Sequence, residues 1–430
     1  MSTGALRACD LQDSAEFAAS CDAADELKSF RDRFHIPTFA SGKDVVYLCG
    51  NSLGLQPKTV RQDLLEELDD WAKFAVEGHT QGRRQWVRYH EHFAAGSAEL
   101  VGARHDEVVL MNTLTVNLHL MMVSFYRPAG ARTKILIESG AFPSDRYAVE
   151  SHIRSRGLDP AMHLVVATPR SGERCLRMDD LAAIIQREGP SLALVLLPGV
   201  QYLTGQVLDM ARITAAARQA GAACGWDLAH AVGNVPLALH DWDCDFACWC
   251  SYKYLNGGPG AVAGAFVHQR HGRNHALPRY HGWWSNDAQT RFQMREEFAP
   301  TDGAEGWQIS NPPILSLTPL LSSLAIFLQA GQAALHAKSR RLSGYLYWLL
   351  AQRAIPGVQV VTPAETHERG AQISISLTRD AEKVWRTLVD GGFVVDFRTP
   401  DILRAAPTPL YNNMTDVRRF VDALGSACRG

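Results

Sequence analysis

Residues 225–264 read GWDLAHAVGNVPLALHDWDCDFACWCSYKYLNGGPGAVAG. An acid, Asp227, ends a short apolar run, and His230 follows it by three positions. Lys253 stands further on, inside Cys250-Ser251-Tyr252-Lys253-Tyr254, and a glycine-rich turn, Gly257-Gly258-Pro259-Gly260, comes next. That order suits pyridoxal phosphate (PLP), which needs a lysine for its aldehyde and a carboxylate to hold its pyridine nitrogen protonated. Such a lysine has to be neutral part of the time. Trp249, Tyr252, Tyr254 and Leu255 disfavour the ammonium by desolvation. The stretch alone also admits a plainer reading, with Lys253 a solvated strand-end residue and Asp227 a turn or helix cap. The rest of the chain decides between them.

Upstream of Asp227 helix and strand take turns. Strands are expected at 134–138, 163–167 and 192–197, helices at 144–153, 179–186 and 210–219, and a strand from Cys224 ends at Asp227. Alternation with Val/Ile/Leu-rich runs predicts an α/β fold whose central sheet is mainly parallel and covered on both faces. In such sheets the site lies at the carboxyl ends of the strands, where Phe142-Pro143-Ser144-Asp145, the Pro198-Gly199-Val200 loop and Asp227 all fall. Several polar groups converging on one edge favour the PLP reading. Thr113 and Thr115 open a further helix, where free N–H groups suit a phosphate, although simple N-capping explains a Thr equally well.

Downstream, Ala261 to His268 reads as a strand, and Ile314 to about Ala351 as two long connecting helices. Strands at 358–361, 372–377 and 393–397, with helices at 382–389 and 417–428, make the tail a small α+β domain. The expected division is an N-terminal segment over 1–55 packing with the small domain, a large PLP-binding domain over 56–319, and the small domain over 320–430. Near the start, a helical pattern spans Ser14 to Phe34, a strand covers 44–49, and an amphipathic helix begins at Pro57 and runs to Phe74.

The strand at 44–49 leads into Gly50-Asn51-Ser52-Leu53-Gly54, which matches G-x-S-x-G, the nucleophile elbow of serine hydrolases. A true elbow drops straight from strand to helix, and here Leu55-Gln56-Pro57 intervenes. Gly258-x-Gly260-x-x-Ala263 mimics a dinucleotide fingerprint but precedes a strand instead of opening a helix.

The 430 residues are 46% hydrophobic and 20% charged, which excludes a disordered or fibrous chain, and the formal net charge of −2 makes nucleic acid and anionic membrane poor candidates for a partner. No apolar run approaches the ~18 residues of a spanning helix, and MSTGALRACDLQDSAEF lacks a signal pattern. A cytosolic chain is expected. The nine cysteines, Cys9, Cys21, Cys49, Cys175, Cys224, Cys244, Cys248, Cys250 and Cys428, show no framework and fit reduced thiols. Cys244, Cys248 and Cys250 lack a C-x-x-C pair and read as packed small residues, not zinc ligands.

Taken together, LCGNSLGLQP, WAKFAVEGH, MNTLTVNLHL, AFPSD, DLAHAVGN, FACWCSYKYLNGGPG, HGWW, ISNPPILSL and LRAAPTPLYNN, in this order, resemble the kynureninase family over about residues 44–425. The resemblance implies the fold type I, aminotransferase-like fold of PLP enzymes and hydrolysis of the Cβ–Cγ bond of L-kynurenine or 3-hydroxykynurenine in tryptophan breakdown and NAD supply. It implies that Lys253 carries PLP as a Schiff base and shuttles the α-proton, and that Asp227 holds the pyridine nitrogen with Asp145 and His230 nearby. Phe142, with Pro143 and Ser144 beside it, would stack on the ring. Leu114, Thr115, Tyr252 and Trp283 would hold the phosphate, and Tyr252 would exchange protons. Ser52, His79, Ser310 and Asn311 would line the aromatic end of the substrate, and Arg404 would grip its α-carboxylate. His79 with Asn311 resembles the set in relatives that take the 3-hydroxy substrate. Relatives often carry a hydroxyl residue where this chain has Pro198, which puts one polar contact to the cofactor in doubt. The resemblance also implies a homodimer with the site at its interface, Trp283 and Asn311 serving the neighbouring subunit. Three other readings make different demands. A serine hydrolase needs a base for Ser52, and a PLP-fold binding protein would lack turnover. A cysteine desulfurase needs a mobile nucleophilic Cys.

Overall fold

A computed structural model describes residues 11–39, 42 and 44–429. Cys9 and the first ten positions of the N-terminal segment lie outside the described residues. The central sheet has seven strands in the order Val108–Leu110, Gly264–Val267, Phe246–Trp249, Ala223–Asp227, Leu192–Pro198, Lys134–Glu138 and Leu164–Ala167. Gly264–Val267 runs against both neighbours and every other pairing is parallel. Parallel strands buried on both faces are apolar throughout: all four residues of Phe246–Trp249 are buried, and Trp226 is wholly buried with its Nε1 donating to Thr214 Oγ1 at 3.0 Å. Helices Pro143–Ser155, Met178–Glu188 and Met210–Gln219 connect the strands close to where the alternation predicts.

A second sheet orders Asp396–Arg398, Ile402–Ala405, Ile373–Leu377 and Val358–Val360, all antiparallel. Its core gathers Leu342, Leu346, Leu349, Val417, Phe420 and Leu424 with Ala18, Val46 and Leu48 from the N-terminal segment. That segment is tied on by Val46–Tyr47, which pairs in parallel with Phe393–Val394.

Several boundaries differ from the sequence expectation for local reasons. The single strand at 393–397 is two strands serving different sheets. Between them Val395 is buried and its carbonyl accepts Trp385 Nε1 at 3.1 Å, so the ladder breaks there. The expected helix from Ser14 to Phe34 is Ala15–Ala23, capped by Ser14, followed by a separate 3₁₀ stretch, Lys28–Arg33. The helix ending at Phe74 begins at Val60, because Pro57 is bridged to Phe34 instead of opening the helix. The connectors are Ile314–Leu317, Pro319–Ala330 and Gln332–Arg353, the last pair bent by 84° at Gly331. No single helix among the described residues is long and apolar enough to cross a membrane.

Candidate active site

Three parallel strands end in a polar or turn-making residue at one edge: Glu138, Pro198 and Asp227. Just past the neighbouring strand, Phe246–Trp249, the chain bends and projects Lys253 toward them. These residues line one cavity of about 330 Å³, together with Ser52, Leu114, Thr115, Phe142, Ser144, Asp145, His230, Tyr252 and Arg404. A larger groove of about 1080 Å³ between Arg177, Arg212, Arg340 and Arg369 has no lysine among its described lining residues. Size does not locate the chemistry here; the convergence of titratable groups does.

The Lys253 turn is fixed by the N-terminal segment. Gly54 N donates to Tyr252 O at 2.8 Å, and a Cβ at Gly54 would strike the Lys253 carbonyl and Asn256. This explains the Gly50–Gly54 motif without a nucleophile elbow: no helix follows the turn until Val60, and Ser52 is a cavity-wall residue. The eight described thiols are all pushed up by burial, including Cys49 to about 12 and Cys250, so none is an activated thiolate.

Lys253 Nζ lies 2.9 Å from His230 Nε2. His230 is buried and held well below its ordinary value, by burial first and then by the charges of Lys253, Arg404 and Arg398, so its ring is neutral. Its Nδ1 is buried without a partner. Asp227 Oδ1 accepts from Ala229 N at 2.7 Å. Asp145 is pushed well above the usual carboxylate range, by burial and then by the charge of Asp227, and its Oδ1 has no partner. Glu138, buried at its strand end, is pushed up to about 8, again by burial first. Burial also raises the Tyr252 phenol, which stays protonated at neutral pH.

Leu114 and Thr115 open the helix Leu114–Phe125 behind Thr113, and Phe142 and Pro143 open Pro143–Ser155. Thr115 Oγ1 and Ser144 Oγ are 2.6 Å apart, so the two helix starts meet at the cavity. The starts of both helices therefore meet at one spot suited to an anion, although Pro143 brings no N–H and Asp145 N donates to Phe142 O. Phe142 packs edge-on to Tyr202, with ring centres 5.3 Å apart. Arg404, only 1% exposed, donates through Nη1 to Tyr202 O at 2.8 Å and through Nη2 to Asp396.

Five sequence-predicted residues do not line this cavity, among them Pro143, which opens its helix between two residues that do. His79 packs on Trp86, Trp283 is 45% exposed and donates to Arg291 O at 3.0 Å, and Ser310 and Asn311 are exposed. Sequence reasoning missed Glu138, Tyr202 and Arg398, all of which line the cavity. For Glu138 a signal existed, since it ends its strand as Asp227 does.

Comparison with known proteins agrees with this geometry. A family profile described as Kynureninase C-terminal domain matches residues 335–424. The chain is 54% identical over 418 residues to a protein named kynureninase from Myxococcus xanthus (strain DK1622), covering 97% of this chain and 98% of that one. It is 52% identical over 405 residues to one from Koribacter versatilis (strain Ellin345), covering 94% and 96%. Among solved structures it resembles C-DES, a cystine C-S lyase with glycine covalently linked to its PLP cofactor, at a TM-score of 0.75 and 17% identity over 92% of this chain and 98% of that one. It also resembles the cysteine desulfurase CsdA from Escherichia coli, at a TM-score of 0.73 and 17% identity over 94% and 98%. The solved structures share the fold, while the relatives in sequence match nearly end to end, and on that full-length likeness the chain belongs to the kynureninase family.

Proposed function

We propose that this chain is a PLP-dependent hydrolase that cleaves the Cβ–Cγ bond of L-kynurenine or 3-hydroxy-L-kynurenine, releasing L-alanine and the corresponding anthranilate. One observation carries the reading: a single cavity is lined by a lysine, a buried acid pair and a buried guanidinium. The groups present fit PLP. Lys253 would bond its aldehyde, Asp227 and Asp145 its ring nitrogen, Phe142 its face, and the helix starts at Leu114, Thr115 and Ser144 its phosphate, with Tyr252 beside them. Bound there, PLP supplies an electron sink for the carbons next to the substrate amine. Lys253 Nζ, set against a neutral His230, takes and returns the α-proton. Water adds to the γ-ketone, and its oxygen leaves in the carboxylate of the aromatic product. The Tyr252 hydroxyl gives the proton that Cβ gains. Arg404 orients the α-carboxylate through its charge and the donors that Tyr202 O and Asp396 leave free.

The reading extends to a homodimer divided into a large lobe over 56–319 and a small lobe over 320–430. The support is that His79, Trp283, Ser310 and Asn311 sit exposed outside their own chain's cavity, and that Trp71, Val76, Phe292 and Met294 are exposed as well, Phe292 against Trp283. A two-fold axis would set these residues against the cavity of the partner subunit, with Ser52 on the near wall. Comparing kcat/KM for kynurenine and 3-hydroxykynurenine, with a Lys253→Ala control, tests the function. Turnover of at least one substrate that vanishes in the control is expected; an equally active control overturns the reading.

A further inference from the structure

Residues 396, 398 and 404 form a charge cluster that no single guanidinium explains. In the antiparallel pair Asp396–Arg398 and Ile402–Ala405, Asp396 stands opposite Arg404, and Arg398 is two residues along the same strand. Period-two alternation therefore points all three side chains to one face. Asp396 lies between the two arginines. Its Oδ2 accepts from Arg404 Nη2 and, at 3.1 Å, from Arg398 Nη2, while Arg398 Nε sits 3.0 Å from Oδ1 without the alignment of a hydrogen bond. Both arginines line the cavity, Arg404 almost wholly buried and Arg398 with 41% of its side chain exposed. Arg398 Nε and Arg404 Nε remain buried and unpartnered. Two guanidiniums and one carboxylate leave a local charge of plus one on the cavity wall, which a further anion would balance.

We propose that Arg398 and Arg404 together form the receptor for the substrate α-carboxylate, with Asp396 as the positioning residue that fixes both forks and cancels one of their charges. Arg404 is anchored on Tyr202 O and Asp396 and can present only its remaining donors, so Arg398, the more exposed of the two, supplies the second arm. This rests on the function proposed above, and its test is chosen to fail separately. The holoenzyme is titrated with L-alanine and with L-alaninamide, following the visible absorbance of PLP, in wild type, Arg398→Gln and Arg398→Lys. Charged hydrogen bonds of this kind predict that Arg398→Gln weakens alanine binding about tenfold or more, leaves alaninamide unchanged, and is partly rescued by Arg398→Lys. Equal effects on acid and amide, or none on either, overturn the receptor even if kynurenine is turned over. Loss of discrimination in a protein that fails to cleave kynurenine would keep the receptor and remove the proposed reaction.

Discussion

Glu138, like Asp145, is a cavity carboxyl that burial holds above the usual carboxylate range. Its folded value of about 8 lies above the ordinary 4.5, so the folded chain holds a proton that the unfolded chain has already lost. Stability from this group is therefore complete below about pH 4.5 and is lost as pH rises to about 8. In the cofactor-free protein, Glu138→Gln should flatten that fall and gain about 2–4 kcal/mol at pH 9 relative to wild type, read from denaturant midpoints across the window. Unchanged pH dependence would mean the carboxyl is not desolvated. Arg404→Ala should raise KM for kynurenine about tenfold to a hundredfold. The loss is incomplete because Arg398 still faces the carboxylate, in contrast with a site holding one fork. An unaltered KM would remove Arg404 from substrate binding.

At the scale of elements, two contacts hold the reacting groups. Gly54 lets the N-terminal segment lie directly on the Lys253 turn, so Gly54→Ala should cost about 1–3 kcal/mol through overpacking and lower PLP occupancy, read by thermal unfolding and by absorbance. The Thr115–Ser144 bond joins two helix starts. Thr115→Val should weaken PLP about tenfold, measured by titrating the cofactor into the apoprotein, with unfolding midpoints little changed. These contacts also show what was legible in the sequence. Asp227 and Lys253 could be read because an apolar strand ends at one and an aromatic bend surrounds the other. Lys134–Glu138 gave the strand correctly but hid its last residue, since an acid ending KILIE looks like ordinary solvent-facing punctuation. The pattern over 393–397 is continuous in period two, so nothing local reveals that its hydrogen-bonding partners change at Val395. Tyr202 sits in a loop without periodicity and becomes part of the site through its ring contact with Phe142 and the bonds that Gln372 and Arg404 donate to its carbonyl.

For the whole molecule, the exposed set of His79, Trp283, Ser310 and Asn311 leads to a subunit-mixing test. Lys253→Ala and Asn311→Ala should each form weakly active or inactive dimers. Mixed, they should recover up to about a quarter of wild-type activity if each cavity draws on both chains, because only one of the two sites in a hybrid is then intact. Failure to recover in proven hybrid dimers would return Asn311 to a role within its own chain. The pairing of Val46–Tyr47 with Phe393–Val394 has a consequence for biosynthesis. The wall that carries Ser52, and the Gly54 contact beneath Lys253, depend on a strand partner far along the chain, at Phe393–Val394. Contacts so distant along the chain close late. A nascent polypeptide stalled before residue 393 should therefore complete its central sheet yet leave the cofactor unclaimed, so vitamin capture waits for that strand.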